Sequence, residues 1–174
     1  MTAPVGSRPV LQRCYQFGGH ITGLKDDDGR AVDGVRLLWA IAGCESDYGR
    51  QAEFARHEAA YMPGGRYYQQ SLELRKAYQR FGVPAACSWG AWQLMFPTAR
   101  ELGYDGPPHG LMDHDTCCRW ATALIVRRFI EAHGAQTLRH VLDAYNSGFH
   151  RDAVVPSEYI SRGLRAYGAE LPTL

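Results

Sequence analysis

The residue with the clearest chemical potential in this sequence is Glu45, the one charged side chain in the apolar run 37–46. If the run is helical, Glu45 shares a face with Leu38 and Ile41, because residues four and seven apart stack along a helix. Glu45 then points toward the core. Burial favours the neutral carboxyl group and raises its pKa, which suits a general acid near neutral pH. The alternative is that Glu45, in the last helical turn, reaches solvent.

Two further segments place polar groups where the spacing predicts burial. Segment 88–93 (SWGAWQ) sets Gln93 among two Trp and several small residues, which let a ligand approach the backbone and offer aromatic faces to sugar rings or bases. Segment 144–148 (AYNSG) ends a predicted helix with Tyr145 and Asn146 before a Gly stop. Each residue also has a structural interpretation: Gln93 as a satisfied core amide, Tyr145 as a core residue and Asn146 as a helix C-cap.

Metal-binding patterns are weak. The acidic turn 26–29 (DDDG) invites a calcium-loop interpretation, but Leu24 and Arg30 break the alternation of oxygen ligands that such a loop needs. A solvated turn is the better interpretation. Two His and a Cys lie within residues 109–117, in a spacing that matches no familiar zinc site. The sequence therefore predicts no metal and no cofactor.

The five cysteines cannot all pair within one chain. Because the N-terminus shows no secretory signal, we expect mostly reduced thiols, although a Cys44–Cys87 bridge is conceivable. Cys87 is also a candidate nucleophile for a cysteine hydrolase. That role needs a depressed thiol pKa and an oriented His, and the sequence offers no obvious pair.

Composition limits the classes of partner. The 174 residues carry a formal charge of +1, with 19 Lys and Arg against 18 Asp and Glu. No basic stripe indicates nucleic-acid binding, and the apolar run 120–126 is far too short to span a membrane. We expect a monomer that is made in the cytoplasm without a visible signal peptide.

Periodicity and capping residues indicate a mainly α, single-domain protein with a helical bundle core and at most a small β-hairpin. Residues 1–32 are expected to form an irregular arm, and the helices that follow are expected to form one domain over residues 33–174. Helices are predicted over residues 33–48, 68–81, 97–103, 113–133, 138–145 and 156–170.

Together, the three polar segments follow a familiar order. Glu45-Ser46 is followed by Gly90-x-x-Gln93, with Thr98-Ala99 a few residues on, and then by the 144–148 segment. This order resembles the soluble-type lytic transglycosylases, which belong to the lysozyme-like superfamily together with the goose-type lysozymes. The resemblance covers about residues 35–167, and Tyr159-Ile160 falls where the family has Tyr-Val before its last helix.

The sequence departs from the family pattern in two places. Ala91-Trp92 replaces the usual Leu-Met before the Gln, a variation that looks phage-like, and the stretch 46–89 is longer than in a typical member. The missing signal peptide would then fit delivery to the cell wall by a phage, as an endolysin or virion-associated lysin, or by a secretion machine.

The resemblance implies cleavage of the MurNAc–GlcNAc bond of peptidoglycan with formation of 1,6-anhydro-MurNAc. It implies that Glu45 is the catalytic acid and then the base, and that Tyr145 hydrogen-bonds it. Ser46 would support the bound sugar or the Glu, and Gln93 would line the cleft. Asn146 would hold the local backbone and the substrate. The neighbouring Gly90 and Trp92 would belong to the same supporting and substrate-binding set.

Several alternatives stay open. A muramidase could use Glu45 with a positioned water, but no second carboxylate is clearly placed; the candidates considered are Asp47, Asp113, Asp115 and Asp143. An inactive glycan-binding module is a further class. The resemblance implies a lysozyme-like catalytic domain over residues 33–174, in which residues 49–86 form an insertion over the cleft. The insertion is either a hairpin that caps the cleft for packing reasons or a lid whose tyrosines contact glycan or stem peptide.

Overall fold

The computed structural model describes residues 6–51, 55–148 and 157–174. Helices account for most of these residues, and the strands form one small antiparallel sheet, so the prediction of a mainly helical protein with little β-structure is confirmed. One core cluster draws buried side chains from elements along the whole chain, from Val10 to Ile160. In the described ranges, no helix combines the length and apolarity needed to cross a bilayer.

The elements follow one another in this order: α1 (Arg8–Phe17), α2 (Gly34–Ser46), β1 (Ala55–His57), α3 (Arg66–Gln70), α4 (Leu72–Phe81), β2 (Cys87–Trp89), β3 (Leu94–Met95), α5 (Phe96–Glu101), α6 (His114–Ala123), a π-helical segment (Leu124–Ala132), α7 (Leu138–Ser147) and α8 (Glu158–Gly168). Short 3₁₀ turns occupy Gly18–His20, Ala59–Tyr61, Val83–Ala86 and Pro108–Met112.

Helix α1 corrects the expectation that residues 1–32 form an irregular arm. Pro9 lies in its first turn, where a missing N–H costs nothing, and its apolar residues recur at helical spacing. The helix packs against α2 and α6 and belongs to the core. The buried residues of α1 are Val10, Leu11, Cys14 and Phe17.

Helix α2 positions the residue singled out in the sequence. Asp33 caps its start, with its carboxylate accepting from the Val35 N–H at 2.9 Å. The helix ends at Ser46, because Asp47 and Tyr48 both adopt the left-handed conformation. Its face carrying Leu38 is fully buried and lies against α1 and α8.

The sheet has the order β1-β2-β3, one strand more than a hairpin. Arg56 lies opposite Ser88 in the β1–β2 register, so their side chains share one face of the sheet. Turn 90–93 joins β2 to β3 and contains two residues with positive φ, Gly90 at 71° and Gln93 at 44°.

Two predicted helices are interrupted. The helix predicted over 68–81 is split at Ser71, whose hydroxyl caps α4 by accepting from the Leu74 N–H at 3.1 Å. The helix predicted over 113–133 passes from α6 into the π-helical segment. The predictions over 97–103 and 138–145 correspond to α5 and α7, and that over 156–170 to α8, although residue 156 lies outside the described residues.

Candidate active site

A cleft of about 1120 Å³ brings together the end of α2, the sheet, the segment 56–74, the end of α7 and helix α8. Glu45 lies in it with a side chain only 9% exposed, which confirms that the carboxylate points inward and not into bulk solvent. Burial raises the pKa of Glu45, and this effect exceeds the opposing contributions of its polar neighbours.

Two side chains from distant parts of the chain contact the Glu45 carboxylate. The Tyr159 hydroxyl donates to Oε1 at 2.7 Å, and the Arg56 guanidinium donates to Oε2 at 3.3 Å. Both contacts stabilise the ionised form and so moderate the rise in pKa. The pKa of Tyr159 lies well above its usual value, because the phenol is buried and faces the negative charge of Glu45. Tyr159 therefore remains a neutral donor.

This arrangement corrects the role expected for Tyr145. Its hydroxyl donates to the Trp92 carbonyl oxygen at 2.8 Å and not to Glu45, and its ring packs edge-on against Phe129. Tyr145 still lines the cleft, but its hydrogen bond holds turn 90–93. Tyr159, one helix further along the chain, takes the contact with the acid.

Turn 90–93 is closed by hydrogen bonds within the sheet. Gln93 Nε2 donates to the Gly90 carbonyl oxygen at 2.9 Å, while its Oε1 accepts from the Ser88 hydroxyl at 2.9 Å. Gln93 is 7% exposed and lines the cleft, as predicted. A Cβ at Gly90 would lie 2.4 Å from the Leu111 carbonyl oxygen, so the turn requires glycine there.

The Ser46 hydroxyl and the Trp92 indole join this turn to helix α2. The Ser46 hydroxyl donates to the Ala91 carbonyl oxygen at 2.7 Å and accepts from the Gly49 N–H at 2.8 Å. Trp92 is fully buried, and its indole N–H donates to the Leu38 carbonyl oxygen at 3.0 Å. Trp92 therefore offers no face to a sugar, contrary to the aromatic platform suggested by its sequence neighbourhood. The Ser46 hydroxyl likewise forms its hydrogen bonds with the protein backbone.

Asn146 is exposed at the end of α7 and lines the cleft. The helix ends one residue later at Ser147, and its C-cap is Gly148, which adopts the left-handed conformation with φ 89°. The structural interpretation of Asn146 as the C-cap is therefore wrong by position, since that place belongs to Gly148. The expected contact of Asn146 with substrate stays a prediction.

Two further charged residues of the cleft, Arg56 and the carboxylate Glu58, were not identified from the sequence. The Arg56 Nε donates to Glu58 Oε1 at 3.1 Å, so one guanidinium bridges Glu45 and Glu58. Arg56 and Glu58 are two residues apart at the end of a three-residue strand. The alternation of polar and apolar side chains that identifies a strand cannot be recognised in the sequence over so few residues.

A second acid–arginine pair lines another part of the cleft. Arg128, in the π-helical segment, donates to Glu101 at the end of α5 at 3.0 Å. The Glu101 side chain is 48% exposed. Tyr61, Arg66 and Tyr67 of the insertion line the cleft as well, whereas Tyr68 and Tyr78 pair edge-on with each other and lie outside its lining.

The five cysteines are free thiols, so the conceivable Cys44–Cys87 bridge is not formed. His57 lies opposite Cys87 in the β1–β2 register, but the thiol donates to the Val83 carbonyl oxygen. Burial raises the pKa of Cys87, which is the opposite of what a thiolate nucleophile needs. Among the described residues, no group of three or more His, Cys, Asp or Glu could hold a metal ion.

Comparisons with protein-family models, with curated proteins and with solved structures found no match to this chain.

Proposed function

We propose that this protein is a lytic transglycosylase that cleaves the MurNAc–GlcNAc bond of peptidoglycan, with Glu45 as its acid and base. The observation that carries the proposal is a buried carboxyl group of raised pKa, lying in a large cleft and contacted by a neutral phenol. A carboxyl group in such surroundings can hold a proton near neutral pH and deliver it to a bound ligand.

The proposed reaction needs no second carboxylate. Glu45 donates its proton to the glycosidic oxygen as the bond to the anomeric carbon breaks. The acetamido oxygen of the same muramic acid attacks the anomeric carbon from the opposite face and stabilises its positive charge. The Glu45 carboxylate then removes the proton of the C6 hydroxyl, whose oxygen bonds to the anomeric carbon and displaces the acetamido oxygen. The products are a 1,6-anhydro ring and a protonated Glu45.

The neighbours of Glu45 suit a residue that must act first as an acid and then as a base. Burial favours the protonated form required for the first step. The Tyr159 and Arg56 contacts stabilise the carboxylate that results from it. A group balanced in this way can release a proton and later recover one.

A hydrolytic muramidase is the second candidate, and Glu58 is the observation that favours it. The shared Arg56 guanidinium holds this carboxylate near Glu45, with its side chain 33% exposed and so within reach of water. Glu58 could act as the base that activates a water molecule, as inverting glycosidases require. In that reaction the product carries a reducing end and no anhydro ring.

Digestion of purified peptidoglycan, followed by mass spectrometry of the products, tests both candidates. We expect anhydro-ended muropeptides from the wild-type protein and from Glu58→Gln, and none from Glu45→Gln. The matched control is Glu73→Gln, which removes an exposed carboxylate of α4 that is paired with Lys76 and lies outside the cleft lining. Reducing-end products that are lost in Glu58→Gln would establish the hydrolytic route instead.

The same assay separates the remaining classes. Binding of glycan without cleavage by the wild-type protein would indicate a glycan-binding module. Cleavage retained in Glu45→Gln and lost in Cys87→Ala would indicate a cysteine hydrolase.

A further inference from the structure

The insertion contributes an aromatic and cationic cluster to the cleft wall, formed by Tyr61, Arg66 and Tyr67. The Arg66 guanidinium lies 4.4 Å from the centroid of the Tyr67 ring, and one of its N–H groups donates to the Tyr67 hydroxyl at 2.6 Å. The Tyr61 ring lies against Tyr67 with centroids 4.7 Å apart. All three residues line the cleft.

Arg66 differs from the other arginines of the cleft in its partners. Arg56 and Arg128 are paired with carboxylates, and Arg162 donates to the Cys44 carbonyl oxygen at 2.6 Å. Arg66 forms no ion pair with any carboxylate in the part of the chain that the structure describes. No carboxylate of the described residues therefore neutralises its charge, and its side chain lines the cleft that an anionic ligand would enter.

The contacts within the cluster favour a carboxylate over a sugar ring as that ligand. The Tyr67 ring already contacts both Arg66 and Tyr61, which leaves less of the ring for a sugar to stack on. The contacts with Tyr67 hold the guanidinium against the ring. A guanidinium held by such contacts loses less side-chain entropy when it binds, and its planar set of donors matches the two oxygens of a carboxylate.

We propose that the Tyr61–Arg66–Tyr67 cluster binds a carboxylate of the peptide stem carried by the glycan, so that the insertion reads the peptide while Glu45 acts on the sugar backbone. This inference rests on the proposed function, because it takes peptidoglycan as the substrate. The peptide stem branches from the muramic acid and carries free carboxylates, whereas the sugar rings of the strand are uncharged.

Titration calorimetry on the Glu45→Gln protein, which cannot turn the ligand over, tests the inference. Two glycan fragments of equal length are compared, one with its peptide stems and one without. Arg66→Gln in this background is expected to weaken binding of the peptide-bearing fragment by about tenfold, as for the loss of a charge-assisted hydrogen bond, and binding of the bare fragment by less than about twofold.

The matched control is Arg80→Gln. Arg80 lies over the neighbouring Phe81 ring at 4.9 Å in the same sequential arrangement, but it lines a separate groove outside this cleft. We expect no change in the binding of either fragment. Tyr67→Phe provides a second variant, since it keeps the ring and removes only the hydroxyl that accepts from Arg66; a smaller loss, again confined to the peptide-bearing fragment, is expected.

Equal effects of Arg66→Gln on the two fragments, or no effect on either, would overturn the inference. Such a result leaves the proposed function intact as long as the wild-type protein still releases anhydro-ended products. Failure of the Glu45→Gln protein to bind either fragment, together with absence of cleavage by the wild-type protein, would overturn both. Melting temperatures of all variants show whether a loss of binding is caused by misfolding. If Arg66→Gln is misfolded, the binding of the two fragments by Tyr67→Phe tests the inference.

Discussion

Two of the acid–arginine pairs that line the cleft have similar geometry but different surroundings. Glu45 and Arg56 are 3.3 Å apart, and Glu101 and Arg128 are 3.0 Å apart. Both arginines are substantially exposed, so the pairs differ mainly in the acid: the Glu45 side chain is 9% exposed and that of Glu101 48%. Burial, and not the presence of a cationic partner, therefore distinguishes the candidate catalytic acid from an ordinary surface ion pair.

The difference follows from the elements that carry each acid. Glu45 lies in the last turn of α2, which packs against α1 and α8, and it receives a hydrogen bond from Tyr159 of α8. Glu101 ends the short helix α5, and its carboxylate accepts from Arg128 of the π-helical segment. An acid that is enclosed by several elements loses its water, whereas an acid at the rim keeps it.

The largest expected effect comes from making the same change in both acids. Glu45→Gln should lower turnover of peptidoglycan at least about a thousandfold, because it removes the carboxyl group that protonates the glycosidic oxygen in the proposed reaction. Glu101→Gln should change turnover by less than about twofold, because it removes only an exposed ion pair. Initial rates of product release measure both. Similar losses in the two variants would remove the distinction between the pairs.

The two tyrosines near Glu45 should differ less strongly. Tyr159→Phe removes the donor to Glu45 and should lower turnover about tenfold. Tyr145→Phe removes a hydrogen bond to the Trp92 backbone and should mainly lower the free energy of unfolding, by about 1 kcal/mol. Steady-state kinetics and denaturant unfolding separate these effects. A larger kinetic loss in Tyr145→Phe would restore the role first expected for that residue.

The arginines should differ in the pH dependence of turnover. The positive charge of Arg56 lowers the pKa of Glu45, so Arg56→Gln should raise that pKa further. The protonated acid would then persist to higher pH, and the alkaline limb of the pH–turnover profile should move upward, with less than about a fivefold change at the optimum. Arg128→Gln should leave the alkaline limb of the pH–turnover profile unchanged. A downward shift in Arg56→Gln would contradict this account of the electrostatics.

The smallest effect on binding is expected at Trp92, which the structure places in the core. Trp92→Phe should lower the free energy of unfolding by about 2 kcal/mol, because it leaves a gap and removes the donor to the Leu38 carbonyl oxygen. The affinity for glycan should change by less than about twofold. A tenfold loss of affinity with unchanged stability would instead indicate a sugar-binding platform.

Local spacing was sufficient to predict the inward direction of Glu45 and the Asp33 cap of α2, because helical geometry determines which residues share a face and which backbone N–H groups need a partner. The expectation that Gln93 lines the cleft came instead from the resemblance in motif order. Helical spacing is also present in the apolar residues of α1, a signal that the expectation of an irregular arm over residues 1–32 overlooked.

The sequence by itself therefore determined the mainly helical class and the one carboxylate delivered by the end of an apolar helix. The tertiary structure decided which side chains reach that carboxylate: Tyr159, 114 residues away along the chain, and Arg56, 11 residues away on a short strand. It also placed Trp92 in the core and Glu58 in the cleft. The physical reason is that spacing determines the direction of a side chain within its own element, whereas the meeting of separate elements depends on how their buried faces pack together.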